Sequence, residues 1–85
     1  MRLLEKLALA VEEVGFHTKS SPKCVAVYRD EKEQDSFAVI EIIGNQVVVT
    51  TPIQNGQFSK NRADINAKVV AWVGKTSALM NFNED

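Results

Sequence analysis

Apolar and polar residues along the first fourteen positions alternate with a helical period. At 100° per residue, Ala10, Leu3, Val14, Leu7, Val11, Leu4 and Ala8 share one arc, whereas Glu12, Glu5, Arg2, Glu13 and Lys6 lie opposite. This predicts an amphipathic helix over residues 2–14. Gly15 would close it in the left-handed C′ position and let Phe16 fold back onto the last turn. Leu9 falls among the charges and reads as an ordinary exposed leucine. Residues 17–23, with Thr18, Ser20, Ser21 and Pro22, read as a breaker-rich connection in which Pro22 stops any continuing helix.

From Cys24 the period changes to that of strands. Residues 24–29 and 37–43 are rich in β-formers and are separated by the charged connection Asp30 to Asp35. Gly44-Asn45 suits a two-residue type II′ hairpin, which pairs Ile43 with Gln46, Ile42 with Val47, Glu41 with Val48 and Ile40 with Val49. One face then carries Ala38, Ile40, Ile42, Val47 and Val49 without a charge, and must be the covered side. The other holds Phe37, Val39, Glu41, Ile43, Gln46, Val48 and Thr50. It is too apolar for an indifferent solvent face and too polar for a second core.

Pro52 ends the third strand, and Gln54 to Gln57 reads as an Asn-Gly turn. A second helix, capped by Ser59 or Asn61, has a core stripe of Leu79, Trp72, Ile65, Val69, Met80 and Val73 opposite Asp64, Lys75 and Lys68. The stripe persists past Gly74, which favours a helix running through it, with residues 81–85 as a frayed tail. The expected fold is α+β: helix, three-stranded antiparallel meander, helix, with both helices on one face of the sheet. One domain spans 1–85, and Leu7, Val11, Ile40, Ile42, Val49, Val69 and Trp72 are its expected core.

Composition narrows the function classes. Among 85 residues, 45% are apolar and 25% charged, as in globular chains. Ten Lys and Arg against eleven Asp and Glu give a net charge of −1, and the pI is about 5.8, so a broad basic field for nucleic acid is missing. A single cysteine, Cys24, forms no internal disulfide, and with the single histidine, His17, it is too few for a zinc site; no metal and no cofactor are expected. Charges interrupt the N-terminal leucines, so neither a secretory segment nor a membrane span is expected, and the address is cytoplasmic.

Candidate chemistry is sparse. Gly74-Lys75-Thr76 has the ending of a phosphate-binding P-loop, but the motif's first glycine would fall on Val69 and a helix precedes it. His17 lies in a breaker-rich connection, where no triad can be argued, and the Asp30 to Asp35 segment lacks the spacing and central glycine of a calcium loop. An enzyme is therefore not expected. Lys60 and Arg62 sit where cations oppose a helix macrodipole, which makes them candidates for contact with an anion.

The stretch Gly56-Gln-Phe-Ser-Lys-Asn-Arg-Ala-Asp64 and the order helix, three strands, helix together resemble the double-stranded-RNA-binding domain. In that family a Ser-Lys-Lys-x-Ala-Lys run grips phosphates across the major groove, and a Gly-Pro-x-His tip enters the minor groove. Ser59, Lys60 and Ala63 match the run. Asn61 and Asp64 stand where two of its lysines would be, Arg62 is a substitute cation, and the first strand connection here is acidic. The resemblance implies weak duplex-RNA contact through Lys60, Arg62, Lys68 and Lys19.

That reading ranks second. The first is a small non-catalytic binding or regulatory module that meets a protein partner, or a second copy as a homodimer, through the mixed sheet face or a strand edge. Phe37, Val39, Ile43 and Val48 are the expected contacts, with Glu41 setting orientation. No membrane is expected as a partner.

Overall fold

A computed structural model describes residues 2–83, with side chains from Arg2 to Met80. Helix α1 (Leu3–Glu13) leads into five strands, β1 (His17–Ser20), β2 (Cys24–Tyr28), β3 (Ala38–Ile43), β4 (Gln46–Thr50) and β5 (Gly56–Ser59), and helix α2 (Ile65–Asn83) closes the order. The strands form one antiparallel sheet in sequential order. The α+β class is therefore observed, and the three expected strands are its centre. The meander has five strands rather than three.

Both added strands lie in segments that read as connections. Thr18, Lys19 and Ser20 pair with Val27, Ala26 and Val25, and the breaker Pro22 sits in the hairpin turn just beyond. There the Ser21 N–H donates to the Cys24 carbonyl at 2.9 Å, and the Ser21 hydroxyl accepts the Cys24 N–H at 3.2 Å. On the other side, Gly56 does not turn the chain but begins β5 opposite Val49. The reversal happens earlier, in residues 51–55. In that loop Thr51 Oγ1 accepts the Gln54 N–H and donates to the Gln54 carbonyl, and Asn55 Oδ1 accepts the Thr51 N–H.

Elsewhere local chemistry acts as its residue types require. The N–H groups of Gly15 and Phe16 donate to the carbonyls of Glu12 and Val11, and Gly15 has φ +103°, the left-handed closure of α1 that a Cβ would strain. Gly44 has φ +61° and Asn45 does not join it at positive φ, as a type II′ turn demands. The register of β3 and β4 is the one the turn dictates, from Ile43 with Gln46 to Ile40 with Val49.

The core lies between the sheet and the two helices. Leu7, Val11, Val25, Val27, Ile40, Val47, Val49, Val69 and Val73 are fully enclosed. Helix α1 covers β1, β2 and β3, α2 covers β4 and β5, and the helices touch each other. Ile42 and Trp72, expected in the core, are half-buried against it. Leu79 and Val14 depart further, at 39% and 54% exposed: Val14 has left the helix, and Leu79 lies at the margin of a stripe whose next member, Met80, still packs against the core.

Helix α2 starts later than either expected cap. The Ser59 hydroxyl accepts the Asn61 N–H in a turn, and the first helical bond of α2 runs from the Lys68 N–H to the Asp64 carbonyl. The helix passes through Gly74 and reaches Asn83, so residues 81–83 are helix where a frayed tail was expected; Glu84 and Asp85 lie outside the described residues. Thr76 turns inward and is fully buried. Its hydroxyl donates to the Trp72 carbonyl at 2.9 Å and accepts Gln54 Nε2 at 3.1 Å, pinning the loop before β5 to the helix. A Cβ on Gly74 would meet nothing within 4 Å. Gly74→Ala should thus raise stability by about 0.5–1 kcal/mol by removing glycine's extra freedom in the unfolded chain, read as a higher urea midpoint; an unchanged or lower midpoint would contradict this account of the helix.

Candidate protein-interaction surface

Strand pairing decides which side chains share the side of the sheet that the helices leave open. Reading across the register, Lys19, Ala26, Val39 and Thr50 form one row, and Cys24, Glu41, Val48 and Gln57 the next. Ile43, Gln46 and Ser59 follow, and Tyr28 lies beside His17 at the opposite end. Val39, Glu41 and Val48 are half-buried by their neighbours alone, and Ile43 is 59% exposed. Lys19 Nζ stands 5.2 Å from the Tyr28 ring centroid, a cation held over an aromatic face.

Four of the five expected contact residues, Val39, Glu41, Ile43 and Val48, are on this face. Phe37 is not. Only 3% exposed, it precedes β3, donates its N–H to the Val27 carbonyl at 2.9 Å and packs its ring against Phe16 at 5.6 Å. Alternation assigns a face only while the chain is a strand, and the chain bends at Phe37. Ala26, Tyr28 and Gln57 join the surface through strand pairings that the central hairpin does not specify. The alternation in β2 carried that information: Val25 and Val27 are buried, while Cys24, Ala26 and Tyr28 between them are not.

The four cations considered for an anion do not converge. Lys19 is on β1 and Lys60 follows β5, strands separated by four spacings, or about 19 Å. Lys68 belongs to the exposed side of α2, on the opposite layer from Lys19. Arg62 is already engaged: Nε and Nη2 donate to Asp64 Oδ1 and Oδ2 at 2.8 and 3.1 Å. These hydrogen bonds, reinforced by charge attraction, raise the Arg62 pKa above its ordinary value and hold the Asp64 carboxyl below its own. The pair is about half exposed, at 45% and 49%, where screening leaves little net stabilisation, so its main effect is to neutralise a cation where free positive charge would be needed.

The other reactive side chains stand apart as well. The imidazole of His17 begins β1 and the thiol of Cys24 begins β2, which places them at opposite ends of an antiparallel pair. Cys24 Sγ lies 3.3 Å from Ser21 Oγ within the turn. Among the described residues no three His, Cys, Asp or Glu side chains are grouped to hold a metal ion. No helix among them is long and apolar enough to cross a membrane. In comparisons with known proteins, no family model, no curated protein and no solved structure matches the chain.

Proposed function

We propose that this chain is a non-catalytic protein-interaction module that binds through the open face of its sheet. One observation carries the reading: five strands are covered by helices on one side only, and the uncovered side puts Val39 and Val48 at its centre with Ile43 projecting at one end. Covering those side chains removes apolar surface from water at about 25 cal/mol per Å², the usual origin of affinity at such a face. Glu41 and Lys19 on the same surface give a docked partner a fixed orientation, since a misplaced charge there would lose its water without gaining a partner.

A photo-crosslinking residue in place of Val48 tests this directly in cells. Adducts to another polypeptide, including this chain itself, are expected at Val48 and should be absent when the same residue replaces exposed Lys68 on α2. Equal labelling at the two positions, or none at Val48, would overturn the reading.

A further inference from the structure

The antiparallel topology sorts the charges of this chain to opposite ends. Successive strands reverse direction, so the loop between β2 and β3 lies at one end of the sheet, together with the last turn of α1. Among the described residues, that end carries the carboxylates Glu12, Glu13, Asp30, Glu31, Glu33 and Asp35, against Arg29, Lys32 and, two residues before Ser77 on α2, Lys75. A surface depression lined by Gly15, Phe16, Arg29, Asp30, Glu33 and Ser77 shows that α1, the loop and α2 meet there. The hairpin turn before β2, the Gly44-Asn45 turn, the end of β5 and the starts of both helices all lie at the other end, where Arg2 donates to the Pro22 carbonyl and the Lys60 N–H to that of Asn45. The cations there are Arg2, Lys6, Lys23, Lys60, Arg62 and Lys68, against only Glu5 and Asp64. The two ends are separated by the length of strands of four to six residues, roughly 13–20 Å.

We propose that the open sheet face is closed by a second copy of this chain laid antiparallel across it, each acidic end over the other's basic end. The inference rests on the open face being the binding surface, and charge selects the occupant. Two sheets packed face to face about a two-fold axis keep their strands roughly aligned, and the axis runs either along the strands or across them. An axis along the strands would stack acidic end on acidic end. An axis across them pairs Asp30, Glu31 and Asp35 with Lys23 and Lys60 of the partner, twice over by symmetry. With the axis between their two rows, Val39 of each copy then lies beside Val48 of the other at the centre. Lys19 and Glu41, the Lys and Glu of the face, carry opposite charges, so a second copy brings no net charge of its own onto the contact. The chain is thus complementary to itself in one orientation only.

Sedimentation velocity of the full chain tests this, with four charge-reversed positions that are all in turns or loops. Wild type should form dimers that weaken as salt is raised from about 0.05 to 0.5 M, because the end-to-end attraction is screened while the apolar centre is not. The variant K23E/K60E removes the net positive charge of one end and sets carboxylates opposite the partner's Asp30, Glu31 and Asp35, and E31K/D35K removes the net negative charge of the other end and sets ammonium groups opposite Lys23 and Lys60. Each alone should dimerise at least about tenfold more weakly than wild type, and an equimolar mixture should recover a dimer, since the altered ends are complementary between the two variants but not within either. V39K/V48K should fail to dimerise with any of them. Recovery in the mixture also demonstrates that both variants fold. A monomeric wild type, unchanged dimerisation of the single-end variants, or a mixture that stays monomeric would overturn the arrangement. Crosslinking at Val48 to a different protein together with a monomeric wild type would leave the open face as the binding surface and remove only the second copy.

Discussion

Trp72→Ala is expected to lower stability by about 3–5 kcal/mol, a large part of what a domain of this size possesses. The indole joins α2 to the last strand. It stands edge-on to the Phe58 ring at 5.8 Å and lies so close over Gly56 that a Cβ there would come within 2.8 Å of Trp72 Cε2. Gly56→Ala in the native background should accordingly cost about 1–3 kcal/mol, since the indole or β5 must move. With Trp72 already replaced by Ala the same methyl fills vacated space, and its cost should vanish. Urea denaturation of the four proteins of this cycle measures the coupling, and additive losses would show that the contact does not determine why position 56 is glycine. The indole Nε1 is buried without a hydrogen-bond partner. Trp72→Phe, which retains a ring and deletes that unpaired donor, should therefore lose much less than Trp72→Ala.

Ile40→Ala should cost about 2–5 kcal/mol, because its side chain is fully enclosed at the middle of the central strand, between Val25 on β2 and Val49 on β4. The neighbouring inward position provides the control. Ile42 is only half-buried near the hairpin end, so Ile42→Ala should lose less than half as much. Both losses should appear as lower urea midpoints at an unchanged slope, which would place them in the native core and not in the denatured chain. Equal losses at the two positions would contradict a core centred on β3 beneath the helices.

Wherever one short-range interaction dominates, the residues themselves disclosed the structure. The Gly15 closure of α1, the Gly44-Asn45 reversal and the four pairs it sets between β3 and β4 are decided by steric freedom at two glycines and by side-chain alternation. Four of the five proposed contact residues followed from that register. Phe37 did not, because its position depends on the bend before β3 and on the waiting ring of Phe16, which is remote in sequence.

The edge strands show the same division. In isolation His17–Ser20 and Gly56–Ser59 have weak strand character; each is held by hydrogen bonds to an established neighbour, β2 for one and β4 for the other. Charge is the clearest case. The sequence alone determined a net charge of −1, the amphipathic first helix and the faces of the central hairpin. Only the tertiary structure decided that the acidic loop and the end of α1 share one pole while the turns and helix starts share the other. Composition counts charges without regard to place, but alternating chain direction transports residues far apart in sequence to the same end of the sheet.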